Sequence, residues 1–243
     1  AARVRREANP ERAPTSERFG SRCPICMEEW DVNEATALRS CCCRRVCDSC
    51  DDKIINAKMP CPLCRLPFPS DNAEYLARLR RHAKNEVPEA VGLLGSCYRQ
   101  GTHVTKSEKK AVKLYKRAVE LGDSVSMLNL GAMYERGDGV KLDRQKSTQL
   151  YRLGADRGHP LAQKNLGGIL FREGKVEEAF KLFMLSAEQG FTDGEYLVGL
   201  MLFKSWPGAP ADREEEGRRW LVRAAAKGHE EARRALARSE HLA

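Results

Sequence analysis

Met127-Leu128-Asn129-Leu130-Gly131-Ala132-Met133-Tyr134 is the stretch on which the fold turns, because it recurs in kind along a chain of 243 residues. Ala90 to Tyr98 precedes it with Gly95 in the same place, and Ala162 to Gly167 and Tyr196 to Gly199 follow. Gly95, Gly131 and Gly167 stand 36 residues apart, and Gly199 comes 32 residues later. A second series trails the first, running Ala118 to Gly122, Ala155 to Gly158, Ala187 to Gly190 and Ala225 to Gly228. A fixed period in this range predicts a solenoid of helix pairs. The first helix of each pair carries a small Gly where its neighbour must come close, with Leu and Tyr on the same face. A turn follows, clearest at Gly137-Asp138-Gly139-Val140, where glycine permits positive φ. The second helix spaces its apolar residues for one face, as in Ala111, Leu114, Tyr115 and Ala118, or Ala179, Leu182, Phe183 and Leu185. It ends at a Gly suited to a left-handed cap. One pair cannot bury its apolar face alone, so stacked pairs share a continuous core.

These positions together resemble Sel-one-like repeats, relatives of the tetratricopeptide repeat. The copy at 124–159 carries Leu130, Gly131, Tyr134, Gly137, Gly139, Val140, Asp143, Lys146 and Tyr151. The copy at 160–191 lacks the glycine-rich turn and is four residues shorter. The copy at 192–229 carries Trp206-Pro207-Gly208-Ala209-Pro210 as an enlarged turn, and residues 230–239 begin a further helix that would cap the array. The resemblance implies an array that binds proteins on a surface suited to an extended partner.

Upstream, the chemistry changes. Nine of the ten cysteines lie between Cys23 and Cys64. Disulfides spread through a secreted protein would not leave the remaining chain with Cys97 alone, so the clustering argues for metal. The order is Cys23-x2-Cys26, then Cys41-Cys42-Cys43, Cys47-x2-Cys50 and Cys61-x2-Cys64. Each Cys-x2-Cys turn supplies two thiolates to a tetrahedral zinc. Three such turns give six ligands, and the triplet provides two more. Eight ligands make two closed sites without a position for water or substrate, so both Zn2+ ions are expected to be structural. Their binding free energy would be largely the folding free energy of a small segment with little core.

The cysteine order resembles a RING finger, which implies that ligand pairs one and three share an ion and pairs two and four share the other. On that pattern Cys23, Cys26, Cys47 and Cys50 hold one zinc. Cys61, Cys64 and two of the triplet hold the second: Cys41 with Cys43 on the usual spacing, or Cys41 with Cys42 as in some all-cysteine relatives. The resemblance further implies a ubiquitin-protein ligase with no nucleophile of its own. Such a finger binds a charged ubiquitin-conjugating enzyme and orients its thioester for attack. Its contact surface would be Ile25 in the first knuckle, Pro62 and Leu63 in the last, and Arg65 just beyond. Ile54 and Ile55 stand where many RINGs offer Trp. The alternative is a zinc-dependent interaction scaffold without ligase activity, which the irregular triplet favours.

The expected architecture is mainly α. A disordered basic tail spans 1–18, the RING-type finger 19–70 (irregular, α+β), a connecting or capping helix 71–88, and about four repeats plus a cap helix 89–243. Asp71 with Glu74 reads as a capping box opening a helix that runs to about Asn85. The net charge of +8 gathers in the arginines of the tail and at Arg78, Arg80, Arg81 and His82. No aromatic platform accompanies it, so solvated surface is the expectation and nucleic acid is not an expected partner. The five histidines are scattered outside the cluster and none is assigned to metal, while Cys97 is expected to be a buried filler. No apolar run approaches a membrane span. The reading is a cytoplasmic or nuclear protein, and the missing initiator Met suggests a processed chain or fragment.

Overall fold

The computed structural model describes residues 69–203 and 213–238 and, as backbone only, 36–38, 45–47 and 239–240. The tail, most of the predicted finger and the Trp206–Pro210 turn lie outside them.

Helix α1 (Asn72–Lys84) opens at Asp71, whose carboxylate accepts the Glu74 N–H at 2.8 Å. Glu74 does not close the predicted box on Asp71. It reaches one residue further back, accepting the Ser70 N–H at 2.6 Å and the Ser70 hydroxyl at 2.9 Å. Leu76 and Leu79 on the opposite face pack against Ala90, Leu94 and Cys97, so α1 is built onto the array. Cys97 is buried, as expected of a filler, and burial pushes its thiol pKa up.

Four helix pairs follow: α2 (Pro88–Gln100) with α3 (Glu108–Glu120), α4 (Ser124–Arg136) with α5 (Arg144–Asp156), α6 (Pro160–Arg172) with α7 (Val176–Glu188), and α8 (Thr192–Phe203) with α9 (Glu214–Ala226). Each helix packs on the next in sequence, and α10 (Glu230–Glu240) closes the stack against α9 and α8. The starts are chemically marked. Proline pre-sets the backbone at Pro88 and Pro160, and Asp123 and Asp143 accept N–H groups of the first turn at 2.8 and 3.0 Å. The ends are marked by positive φ at Gly122, Gly158, Gly190 and Gly228, a conformation that would strain a residue bearing Cβ.

Within a pair, spacing is set by a glycine facing an aromatic ring. A Cβ added at Gly95 would lie 3.0 Å from the Tyr115 ring, at Gly131 2.9 Å from Tyr151, and at Gly167 2.7 Å from Phe183. The last pair departs from this rule. Gly199 opposes Leu221 and Gly217, and its Cβ would meet the Leu221 backbone nitrogen at 2.9 Å. Two glycines there let the helix backbones touch.

The second-helix faces hold as expected at Ala111, Tyr115, Ala118, Ala179 and Phe183, all buried, with Leu114 and Leu182 half-buried. Leu185 is a correction. It is 47% exposed, because two residues past Phe183 is the far side of a helix. Ser186 and Ala187 occupy the buried positions instead, and the Ser186 hydroxyl donates to the Pro160 carbonyl at 2.9 Å.

In the N-terminal segment, β1 (Thr36–Leu38) and β2 (Arg45–Cys47) pair antiparallel, with Thr36 opposite Cys47 and Leu38 opposite Arg45.

Candidate protein-binding groove

Of the predicted zinc ligands, Cys47 alone has its backbone described, at the end of β2. Cys23, Cys26, Cys41, Cys42, Cys43, Cys50, Cys61 and Cys64 lie outside the described residues, as do Ile25, Pro62, Leu63 and Arg65. Among the described residues no cluster of three or more His, Cys, Asp or Glu could hold a metal ion. No helix among them is long and apolar enough to cross a membrane.

The array itself forms a groove of about 290 Å³ where the first helices of three successive pairs, α4, α6 and α8, line up. Its floor is apolar. Phe183 and Tyr151 come up from the second helices, and Phe171, Leu200 and Met201 form the sides. The floor is continuous with the largest buried cluster among the described residues, so its shape is fixed by packing. Lys164 on α6 pairs with Asp193 next to α8's start at 3.1 Å and ties two walls together.

The polar groups are few and placed. The Tyr151 hydroxyl donates to Glu135 Oε2 at 2.8 Å. Burial raises the Tyr151 pKa well above the ordinary phenol value, and the neighbouring carboxylate raises it further, so the phenol stays a donor. Glu135 has no cation within ion-pair distance among the described residues. The side-chain amide of Asn165, half-buried on α6, makes no hydrogen bond with them either.

Gly168 is the least expected member. It sits inside α6 with ordinary helical φ, and a Cβ there would meet nothing within 4 Å. Neither backbone nor packing needs glycine at this position, although glycine inside a helix costs about 1 kcal/mol against alanine. Its neighbour Gly167 is explained by Phe183; Gly168 is explained only by space left in the groove. The repeat pattern accounts for one glycine of that pair, and the surplus one was the available signal.

A stacked helix-pair array with an open, rigid, mainly apolar groove is suited to holding another protein. The Sel1 repeat profile matches residues 88–123, 124–159, 160–191 and 192–229, more than half of the chain. No curated protein matches the chain. Among solved structures, a protective antigen of uropathogenic Escherichia coli with an SLR fold matches 67% of the chain and 35% of its own length, with 29% identity and a TM-score of 0.60. The chain therefore spans about a third of that protein. A Sel1 repeat protein from Oxalobacter formigenes matches 76% of the chain and 71% of its own, with 24% identity and a TM-score of 0.61. Spacing, the helix pairs and the profile agree: this chain belongs to the Sel1 repeat family.

Proposed function

We propose that the chain is a RING-type ubiquitin-protein ligase whose N-terminal segment binds two structural zincs and a charged ubiquitin-conjugating enzyme, while the repeats recruit a protein partner or substrate. The observation that carries the reading is the cysteine order, three Cys-x2-Cys turns with a cysteine triplet between the first and second. The β1–β2 register supports it. β1 and β2 pair antiparallel on either side of the triplet in sequence, and Cys47 at the end of β2 opens the next ligand pair. Antiparallel strands that flank one ligand pair in sequence and lead into another suit a cross-braced finger.

On this reading Cys23, Cys26, Cys47 and Cys50 hold one ion; Cys61, Cys64, Cys41 and Cys43 or Cys42 hold the other. Ile25, Pro62, Leu63 and Arg65 make the docking surface, and catalysis is orientation of the bound thioester. The array contributes geometry. Cys64 and the first residue of α1, Asn72, are eight residues apart, at most ~28 Å of extended chain. Because α1 is packed onto the repeats, a partner held there stays near the transferred ubiquitin.

The test is single-turnover discharge of ubiquitin from a panel of charged conjugating enzymes. Acceleration by the full chain, lost in Ile25→Ala and Arg65→Ala proteins that keep their zinc, is the expected result. A zinc-loaded protein that accelerates none of them overturns the ligase reading in favour of a non-catalytic scaffold.

A further inference from the structure

The partner's chemistry can be read further from the groove, taking from the proposal above only that the repeats recruit a protein. We infer that the groove holds an extended peptide segment with a bulky apolar side chain over Gly168 and a Lys or Arg beside it that meets Glu135.

Three independent features lead there. The first is the surplus glycine. Gly168 leaves open the volume a side chain would fill, directly over an apolar floor, and that volume fits an aromatic or branched aliphatic group. The equivalent positions in neighbouring repeats are Ala132 and Leu200, so the opening is local to α6.

The second is a pair of equivalent amides. Asn165 lines the groove, and Asn129 holds the equivalent sixth position of its helix one repeat earlier, outside that lining; both are half-buried. Neither side-chain amide has a hydrogen-bond partner among the described residues. A primary amide donates and accepts at once, which matches the alternating N–H and C=O of an extended main chain. Two of them at repeat spacing suit a strand laid across the helices better than a helical ligand, whose main chain is already bonded to itself. Asn165, Gly168 and Arg172 fall on one stripe of α6, so the amide and the opening face the same way.

The third is the charge. Glu135 spends one oxygen on Tyr151 and has no cation within ion-pair distance among the described residues. Its half-buried carboxylate is less screened than Arg172, which is exposed at the groove's edge, so Glu135 sets the sign that a ligand meets. The Lys164–Asp193 pair is neutral as a unit.

The experiment is selection of a randomised twelve-residue display library on the full chain, with an unrelated helical-repeat protein as background. The strongest enriched peptide is then synthesised and its Kd measured by fluorescence anisotropy against variants. Enrichment of an aromatic or branched residue next to Lys or Arg is expected. Gly168→Leu should weaken that peptide tenfold or more, and Gly168→Ala, which leaves the helix intact, by a smaller factor. Glu135→Gln keeps the Tyr151 hydrogen bond, and should cost threefold or more for the basic peptide and nothing for its alanine-substituted version. Asn165→Ala should weaken all enriched peptides alike. Peptides that bind well but ignore Gly168→Leu and Glu135→Gln, or that carry acidic residues instead, overturn this inference and leave partner recruitment standing. No enrichment over background removes recruitment by this groove and this inference with it.

Discussion

Glu195, fully buried near the start of α8, accepts a hydrogen bond at 3.1 Å from the ammonium of Lys227, the residue that caps the end of α9. One repeat earlier the same two positions hold Gln163 and Gln189, joined at 2.8 Å. One earlier still they hold Met127 and Arg157, with the guanidinium 3.5 Å from the sulfur. In the first repeat they are Val91 and Leu121, both apolar. In the last three pairs the fourth residue of the leading helix thus meets the cap residue of its partner, and the contact grows more polar along the array. Arg223 adds a second cation to Glu195 at 2.8 Å, so the buried charge is compensated.

This contact predicts strong coupling in a double-mutant cycle. Lys227→Gln leaves Glu195 with a partly exposed arginine as its main counter-ion, and should destabilise by about 1–3 kcal/mol. Glu195→Gln removes the buried charge and should cost less. The double variant reproduces the Gln163–Gln189 pair and should recover about 1 kcal/mol of the summed losses. Denaturant unfolding of all four proteins measures it, and strictly additive losses would mean that the pair does not act as a unit.

Glycines along the leading helices should separate by what they face. Gly168→Ala meets open space and should stabilise by about 0.5–1 kcal/mol. Gly167→Ala drives a Cβ to within 2.7 Å of the Phe183 ring and should destabilise by about 1–3 kcal/mol. Gly199→Ala should be the most damaging, since it meets backbone atoms of α9 that cannot rotate away. The order of thermal midpoints checks the set. A destabilised Gly168→Ala would show that the groove floor is tighter than its geometry states.

The start of α1 should be acid-sensitive. The Ser70 N–H, followed by the Arg78 guanidinium and the Ser70 hydroxyl, holds the Glu74 pKa down to about 2, against an ordinary value of about 4.3. A folded pKa below the unfolded one contributes stability that is present above pH ~4.3 and lost as pH falls toward 2. Hydrogen exchange in α1, compared between wild type and Glu74→Gln, should therefore differ at pH 6, and the difference should shrink steadily below pH ~4. A gap that stays constant down to pH 3 would assign the effect to something other than this carboxylate.

The parts of this architecture that sequence exposes are those where one residue type has no substitute. Gly131 must be glycine because Tyr151 occupies the space of a Cβ, and Gly122 because its φ is +93°. The close approach recurs at Gly95, Gly131, Gly167 and, against backbone, Gly199, and the positive φ at Gly122, Gly158, Gly190 and Gly228, so both print a period. The Glu195–Lys227 series prints none, since its partners lie about thirty residues apart and change chemistry at each step. Leu185 misled the pattern for a related reason: burial there follows helix geometry, and the small polar Ser186 takes the position facing the neighbouring helix. The groove was hidden because Gly168 looks, in sequence, like a second copy of Gly167. Asn129 and Asn165 stand at one position in neighbouring repeats, yet without contacts nothing marked them as unpartnered.

The proposed finger and the array should respond separately to loss of metal. Among the described residues, the buried clusters from α1 to α10 are built from side chains of the helices and their connections. A chelator should therefore leave the helical circular-dichroism signal of the array nearly intact while abolishing ubiquitin discharge. Native mass spectrometry should find two zinc ions per chain, and a single ion would remove the cross-braced arrangement. The triplet gives the sharper result. With Cys41 and Cys43 as ligands, Cys42→Ser keeps two ions and Cys43→Ser loses the one shared with Cys61 and Cys64. The opposite outcome assigns Cys41 with Cys42, and a chain that keeps both ions after either substitution shows that the spare thiol can move into the vacated corner of the tetrahedron.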